Sequence, residues 1–293
     1  LIVAGGANFP VPEGGDLWVV PKVYHDRAWV ALRKGDGYEW ISGFKLKKPV
    51  AYGMCVSTDR GVVCLGGNAG KITYPDNFRL EWDAEKKTLK QVALPVLPAP
   101  CTGGAAALIG DVVYVAGGQS GARLETAGKN FWRMNLAATE LKWEKLPPWP
   151  GPARAFNQMV AQHNGREMCL YVFGGRRQDA KVEGIKAIVA MDDVYEFCPS
   201  RFDKKKGEPW RKRKSSLKPI MAGTAVAVGQ SHVFVLGGAD GELLSKIAAD
   251  PEFVKAHPGF PKRAWAYHTI TDTWIDAGPL PANHVTTPAV KWG

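Results

Sequence analysis

Apolar residues recur along the chain in short runs, and five of these runs close on a pair of glycines. The first glycines of successive pairs are 51 to 63 residues apart. A repeat of roughly 50 residues that contains only strand signals is typical of a kelch β-propeller, in which each repeat forms one four-stranded blade. The sequence therefore predicts an all-β, kelch-type β-propeller. The five segments are LIVAGG (1–6), GVVCLGG (61–67), VVYVAGG (112–118), LYVFGG (170–175) and HVFVLGG (232–238).

The remaining strands of each blade are predicted from the residues on either side of the glycine pair. A strand of small residues precedes every pair except the first, as in residues 102–110, and small side chains suit an innermost strand. An aromatic strand follows each pair, and we interpret the tryptophans of the last strand as fillers of the gaps between blades. These tryptophans are Trp40, Trp143, Trp210 and Trp274. We expect one domain over residues 1–293, with blade repeats at about 1–50, 51–101, 102–153, 154–221 and 222–283.

The two ends of the chain leave the number of blades open. Residues 284–292, HVTTPAVKW, are predicted to form another innermost strand, but no glycine pair follows them. The first segment, in turn, has no innermost strand before it. Either the two ends pair and close a five-bladed ring, or residues 284–293 begin a sixth blade of which this chain holds a fragment. The chain starts without Met inside an apolar run, which indicates that native sequence, with or without a signal peptide, precedes Leu1.

Composition excludes several classes of protein. Hydrophobic residues make up 45% and charged residues 23% of the 293 residues, so a packed core is expected and a disordered chain is not. No apolar run approaches the roughly 18 residues of a membrane-spanning helix, so membrane insertion is not expected. The five cysteines are odd in number and irregularly spaced, which argues against a disulfide framework but leaves one disulfide and the redox compartment open. Neither H-x-H nor C-x-x-C occurs, so no metal site and no cofactor are expected.

The net charge of +10 is concentrated in a basic run at residues 204–214. Such a run could contact nucleic acid. However, no nucleic-acid motif accompanies it, and Trp210 is its one aromatic residue. We interpret the run as a solvated basic loop and expect no nucleic-acid partner, while a protein partner remains open.

Four motifs give a more specific resemblance. They are LIVAGGANFP (1–10), KVYHD (22–26), PVAYG (49–53) and NHVTTPAVKWG (283–293). Together they resemble the cyclically permuted mutarotase family, which is similar to the bacterial N-acetylneuraminate epimerases, and the resemblance runs through essentially the whole chain. It implies six blades, and so favours the fragment over the five-bladed ring. It also implies a bacterial periplasmic or extracellular location, while a cytoplasmic one stays open.

The resemblance implies a sugar mutarotase or epimerase that acts on sialic acid (N-acetylneuraminate) or a related acidic sugar without a cofactor. In the family, the strand like PAVKWG continues into a glycine–glutamate motif with an arginine six residues after the glutamate. This chain ends at Gly293, before that motif. The alternative is a non-catalytic kelch propeller that binds a protein or glycan partner, because a fold does not fix a function.

Candidate site residues come from the loops that begin the innermost strands and the loops that follow the glycine pairs, because these loops share one face of a propeller. Mutarotation needs a base for the anomeric hydroxyl and an acid for the ring oxygen. The sugar carboxylate can be held by an arginine fork, for which Arg154 is preferred. The predicted acid–base residues are His25, Asp26 and His284, and the predicted substrate-binding residues are Arg154, Asn8, Asn68, Gln119 and Arg176.

Several of these candidates also have a purely structural interpretation. His25 could anchor its loop while Asp26 caps the next strand. His284 could be a buried hydrogen-bonding residue, and Arg154 could be an exposed turn arginine. The insert at 238–263 is a candidate lid or partner surface, and it is expected to be helical over about 242–256.

Overall fold

The computed structural model describes residues 1–10, 20–205, 207–250, 252–253 and 258–290. Within these ranges strands dominate, as five blade-type antiparallel sheets and three short hairpins. The predicted all-β propeller class is confirmed. The helices are short, and none that is described is long and apolar enough to cross a membrane. They are α1 (Pro199–Asp203) and α2 (Glu242–Ala249), with 3-10 helices at Leu124–Thr126 and Gly184–Ala187.

The described residues form two compact units. The first holds Leu1–Thr102 together with Ser120–Ala122, and the second holds Gly103–Gln119 and the described residues from Arg123 onward. Two blade sheets belong to the first unit and three to the second. The expected single domain over residues 1–293 stays a prediction.

The first unit contains a three-stranded and a four-stranded sheet. Its strands are β1 (Ile2–Ala4), β2 (Ala7–Asn8), β3 (Val23–Tyr24), β4 (Arg27–Lys34), β5 (Gly37–Lys45), β6 (Met54–Thr58), β7 (Gly61–Leu65), β8 (Asn68–Ala69), β9 (Ile72–Thr73), β10 (Asn77–Asp83) and β11 (Thr88–Leu94). The sheet orders are β1-β4-β5 and β11-β10-β7-β6, and β2-β3 and β8-β9 are hairpins. Alternate residues of a strand face the same side, so Val63 and Leu65 of β7 are buried together, and Phe78 and Leu80 of β10 are buried together with Leu46.

The second unit contains three four-stranded sheets and one hairpin. Its strands are β12 (Thr102–Ile109, which starts on the last residue of the first unit), β13 (Val112–Gln119), β14 (Phe131–Asn135), β15 (Glu144–Lys145), β16 (Gln158–His163), β17 (Met168–Phe173), β18 (Arg176–Gln178), β19 (Ile188–Ala190), β20 (Val194–Phe197), β21 (Trp210–Arg213), β22 (Thr224–Val228), β23 (His232–Leu236), β24 (Arg263–His268) and β25 (Thr273–Pro279). The sheet orders are β12-β13-β14-β15, β16-β17-β20-β21 and β22-β23-β24-β25, and β18-β19 is the hairpin. Aromatic rings fill the core between sheets: the Phe131, Phe197 and Trp210 ring centroids lie 4.8 to 4.9 Å apart.

The five glycine pairs occupy equivalent positions, as the repeat predicts. In each blade the amide of the second glycine donates to a carbonyl in the connection to the next repeat. These bonds are Gly6 to Val50, Gly67 to Cys101, Gly118 to Arg154, Gly175 to Ile220 and Gly238 to His284, at 2.7 to 2.9 Å. The first glycine permits this approach: Gly174 has φ of +62°, and a Cβ there would lie 2.2 Å from the Ile220 oxygen. The motif is therefore structural and is not a phosphate cradle.

A chain of left-handed residues links the blades of the second unit. Phe156, Ala222 and Thr286 have φ between 54° and 56°, although none of them is glycine. Their amides donate in series: Phe156 to the carbonyl of Gly103, Ala222 to that of Phe156, and Thr286 to that of Ala222. Two of these strained residues, Phe156 and Ala222, lie just before the innermost strands β16 and β22, where the candidate site was expected.

The predicted strand at 284–292 is wrong for its described part. Residues 284–290 carry the inter-blade bonds of His284 and Thr286 but form no strand. A strand needs a neighbour to complete its backbone hydrogen bonds, and no described strand pairs with these residues. Residues 291 and 292 lie outside the described residues.

Two of the four predicted tryptophans, Trp210 and Trp274, bridge to the preceding repeat. Trp210 Nε1 donates to the carbonyl of Pro147 at 2.8 Å, and Trp274 Nε1 donates to that of Lys214 at 3.0 Å. Both rings are buried, which fits their interpretation as fillers between blades. Trp40 is different, since it is 57% exposed on β5, and for it that interpretation fails.

Two other expectations need adjustment. The basic run is not a loop throughout, because its residues 210–213 form β21. Arg213 there donates to the Tyr267 hydroxyl and the Thr269 carbonyl, so its charge is held inside the fold. The expected helix at 242–256 is confirmed as α2, which ends at Ala249. Residue 206 of the run, and residues 251 and 254–256 of the expected helix, lie outside the described residues.

Candidate functional site

Arg154 lies in the connection before β16, and its side chain is completely buried. Nη1 donates to the carbonyl of Gly174 at 3.0 Å, and Nη2 donates to Asp193 Oδ2 at 2.7 Å. The Trp149 and Tyr195 ring centroids lie 5.3 and 5.5 Å from the guanidinium carbon. The interpretation of Arg154 as an exposed turn arginine is therefore wrong. Its role as holder of a carboxylate stays a prediction, and these contacts favour a positioning role instead.

Arg176 is the more available cation in the second unit. Its guanidinium stacks on Phe156, with the guanidinium carbon 4.3 Å from the ring centroid. Burial lowers the pKa of Arg176, and its Nε is buried without a hydrogen bond. Within the described ranges, no carboxylate forms an ion pair with it. A partly desolvated, unpaired guanidinium is suited to a planar anionic group such as a carboxylate.

The backbone around Arg176 is held firmly. Its amide donates to the carbonyl of Ala155 at 2.9 Å, and its carbonyl accepts the amide of Ala155 at 3.0 Å. The neighbours of Ala155 are Arg154 and Phe156, so one short segment supplies the buried ion pair, the strand bridge and the stacking ring. Arg154 also bonds the carbonyl of Gly174, two residues before Arg176. The buried arginine therefore fixes the turn from which the available arginine projects.

Gln119 and His284 are the other predicted site residues of the second unit. Gln119 is buried at the end of β13, where its backbone bridges to Ala127. His284 is half-buried, and its carbonyl accepts the amide of Gly238 at 2.7 Å. The His284 imidazole makes no hydrogen bond to another described residue. Its interpretation as a buried hydrogen-bonding residue finds no support among the described residues, and its acid–base role stays a prediction.

In the first unit the structure joins His25 to Asn8. His25 Nε2 lies 2.7 Å from Asn8 Oδ1, beside the hairpin β2-β3. The carbonyl of Asp26 accepts the amide of Leu46 at 2.6 Å, whereas in the described part of the chain its carboxylate makes no hydrogen bond to His25. The two residues thus do not form a hydrogen-bonded acid–base pair. The bond to Asn8 fits the interpretation of His25 as a loop anchor.

Sequence reasoning missed Lys22, which lies beside the same hairpin. Its ammonium donates to the Tyr52 hydroxyl at 2.7 Å and lies 4.7 Å from the Phe9 ring centroid. Phe9 and Lys22 were visible in their motifs, but no local pattern shows that they meet.

Asn68, which was predicted, has a buried Oδ1 without a hydrogen bond, and its backbone bridges to Ala51.

Comparisons with known proteins point to one family. The family model described as N-acetylneuraminate epimerase matches residues 94–259. The N-acetylneuraminate epimerase of Haemophilus influenzae (strain PittEE) is 31% identical over 206 residues, which cover 64% of this chain and 49% of that protein. The N-acetylneuraminate epimerase of Salmonella enteritidis PT4 (strain P125109) is 28% identical over 207 residues, which cover 64% of this chain and 48% of that protein. The chain thus spans about half the length of the curated relatives it matches.

A solved structure supports the fold. The chain described as "Structure of YjhT" superposes with a TM-score of 0.58 at 17% sequence identity, covering 82% of this chain and 68% of that one. At this identity the likeness bears on the fold and not on the chemistry.

Proposed function

This chain belongs to the N-acetylneuraminate epimerase family, and from that premise we propose that the protein interconverts the anomers of N-acetylneuraminate or a related acidic sugar. The reaction opens and recloses a cyclic hemiketal. A base removes the proton of the anomeric hydroxyl as the ring C–O bond breaks, and an acid protonates the ring oxygen. The open-chain ketone then recloses on its other face. The substrate carries a carboxylate beside the anomeric carbon, so the site also needs a cation.

The observation that carries the proposal is the state of Arg176. Its guanidinium is partly desolvated, stacked on Phe156 and unpaired by any described carboxylate. Leaving a buried charge uncompensated costs stability, and such a cost is common where a ligand supplies the missing partner. We therefore assign the sugar carboxylate to Arg176 in place of Arg154.

Proton transfer is assigned to histidine, because its ordinary pKa lies near neutral pH. His284 is the preferred residue, since its imidazole makes no hydrogen bond to a described residue. His25 belongs to the first unit and its Nε2 is already engaged by Asn8, so its catalytic role stays a prediction. In this proposal Arg154 is a positioning residue that acts through Gly174 and Asp193.

The test follows freshly released α-N-acetylneuraminate by one-dimensional NMR in the presence of the protein. Conversion to the β anomer faster than the spontaneous rate, and proportional to protein concentration, is the expected result. A rate equal to the spontaneous one, together with saturable binding of the sugar, would instead support a non-catalytic kelch propeller that binds glycans. Neither catalysis nor binding would defeat the assignment of an acidic sugar.

A further inference from the structure

Two cysteines face each other in the fourth blade sheet, at the end of the sheet opposite to the one that carries Arg176. Leu170 of β17 pairs with Phe197 of β20, and Cys169 and Cys198 are the next residues in that register. Their Sγ atoms lie 2.7 Å apart, and both side chains are fully buried. Directly opposed residues of antiparallel strands have Cα atoms about 4.5–5.5 Å apart, which is within the range that a disulfide spans. The two sulfurs are therefore within bonding reach without movement of the strands.

The surroundings do not suit a reactive or metal-binding thiolate. The Cys198 thiol lies 3.3 Å from Glu196 Oε1, and that carboxylate is itself buried. The hydrogen bond with Cys198, together with burial, raises the pKa of Cys169 well above its ordinary value. A buried negative charge disfavours the thiolates that a metal ligand or a nucleophile requires.

A zinc ion is a poor match for the same group. Glu167 lies close enough to Cys169 and Cys198 to be considered as a third ligand. Its carboxylate already accepts the hydroxyl proton of Ser200. Two thiolates on one tetrahedral zinc, with Zn–S of about 2.3 Å, would stand about 3.8 Å apart. The observed separation of 2.7 Å is about 1.1 Å too short for two zinc ligands, and it is nearer to the roughly 2.05 Å of a bonded sulfur pair.

We propose that Cys169 and Cys198 are a disulfide-forming pair that closes the loop bearing Arg176. Their oxidant is a small-molecule disulfide of the oxidised-glutathione type. One protein thiolate attacks a sulfur of the oxidant and releases one thiol, and the second protein thiolate then displaces the other. The protein loses two electrons and two protons, and the oxidant becomes two thiols. Because both cysteines are fully buried once folded, the bond forms during folding.

The bond would link β17 and β20 at one end, and the opposite ends of the same two strands lead to the candidate site. β17 leads into Gly174 and Arg176, and β20 begins directly after Asp193. The cysteines are 29 positions apart, and such a loop is long enough for a cross-link to restrict the unfolded chain substantially. The disulfide would therefore stabilise the blade that positions Arg176.

The chain contains its own control pair. Cys55 and Cys64 are also direct partners, across β6 and β7. Cys55 is exposed and Cys64 is half-buried, and no hydrogen bond joins their thiols among the described residues. Cys169 and Cys198 differ from this pair because both are fully buried, with their Sγ atoms 2.7 Å apart.

The experiment refolds the reduced protein with excess oxidised glutathione, then unfolds it in denaturant to alkylate the remaining thiols, and digests the product without reduction. Mass spectrometry should find peptides joined through Cys169 and Cys198, about 2 Da lighter than the two free peptides, because the bond removes two hydrogens. The oxidised protein should melt on the order of 5–10 °C above the reduced one. The Cys169→Ser/Cys198→Ser variant should lose this redox dependence, and the Cys55→Ser/Cys64→Ser variant should keep it. Quantitative alkylation of both thiols in the refolded protein would overturn the proposal, as would stoichiometric retention of zinc by the reduced protein.

Discussion

The guanidinium of Arg154 donates to Asp193 Oδ2 at 2.7 Å, and none of the arginine side chain is exposed to solvent. The same guanidinium donates to the carbonyl of Gly174 and lies over the rings of Trp149 and Tyr195. Arg154, which lies just before an innermost strand, thus makes its contacts inside the fold and not with solvent. No described carboxylate pairs with the guanidinium of the neighbouring Arg176, which stacks on Phe156.

Arg154→Ala should destabilise the protein severely. Removing one partner of a buried ion pair leaves the other charge buried without a partner, which lowers the free energy of unfolding by about 3–5 kcal/mol. The control is Arg123→Ala, which breaks an exposed pair with Glu125 of the same 2.7 Å length and should leave the free energy of unfolding nearly unchanged, because solvent screens exposed charges. Urea denaturation measures both. An Arg154→Ala variant with wild-type stability and lost sugar binding would return Arg154 to the carboxylate-holding role.

Gly174→Ala should cost more stability than Gly229→Ala. Both glycines are left-handed, with φ of 62° and 58°, so alanine pays about 1–2 kcal/mol of backbone strain at either position. At Gly229 a Cβ would meet open space, whereas at Gly174 it would clash with the Ile220 oxygen. We expect a loss at Gly174 at least twice that at Gly229, measured by thermal unfolding. Equal losses would mean that the contact between the blades is not needed.

The repeat could be predicted because its signal is local. The positive φ angles and the close approach of a carbonyl oxygen both depend on the two glycines of each pair, which are adjacent in the sequence. The burial of Arg154 could not be predicted, because its partner Asp193 is 39 positions away and no spacing rule joins them. The left-handed backbone of Phe156 could not be predicted either, because no sequence pattern indicates a positive φ at an aromatic residue. The prediction of a strand at 284–292 was wrong because the pattern of apolar and polar residues indicates which face of a strand is buried but does not show which strand it pairs with.

The stability of the fourth blade should fall at high pH through Tyr195. Burial, and secondly the carboxylate of Asp193, raise the pKa of Tyr195 to about 12. The unfolded tyrosine ionises near its ordinary pKa of about 10, so between these values the unfolded state binds fewer protons and stability declines as the pH rises. Tyr195→Phe should remove this part of the decline, and Tyr38→Phe, at an exposed tyrosine, should not. Identical pH profiles for Tyr195→Phe and the wild type would contradict the assignment.

The NMR rate of anomer conversion in Arg176→Ala tests the central claim most directly. Arg177→Ala is the matched control, because the residue is also on β18 but makes no stacking contact with Phe156. Losing a charged hydrogen bond of about 1.5–3 kcal/mol corresponds to roughly a ten- to hundredfold rise in KM for the sugar. We predict that rise for Arg176→Ala and a change within about twofold for Arg177→Ala, with both variants folded. Wild-type KM in Arg176→Ala would contradict the assignment of the carboxylate to Arg176, and a wild-type protein that leaves the spontaneous rate unchanged would contradict the mutarotase itself.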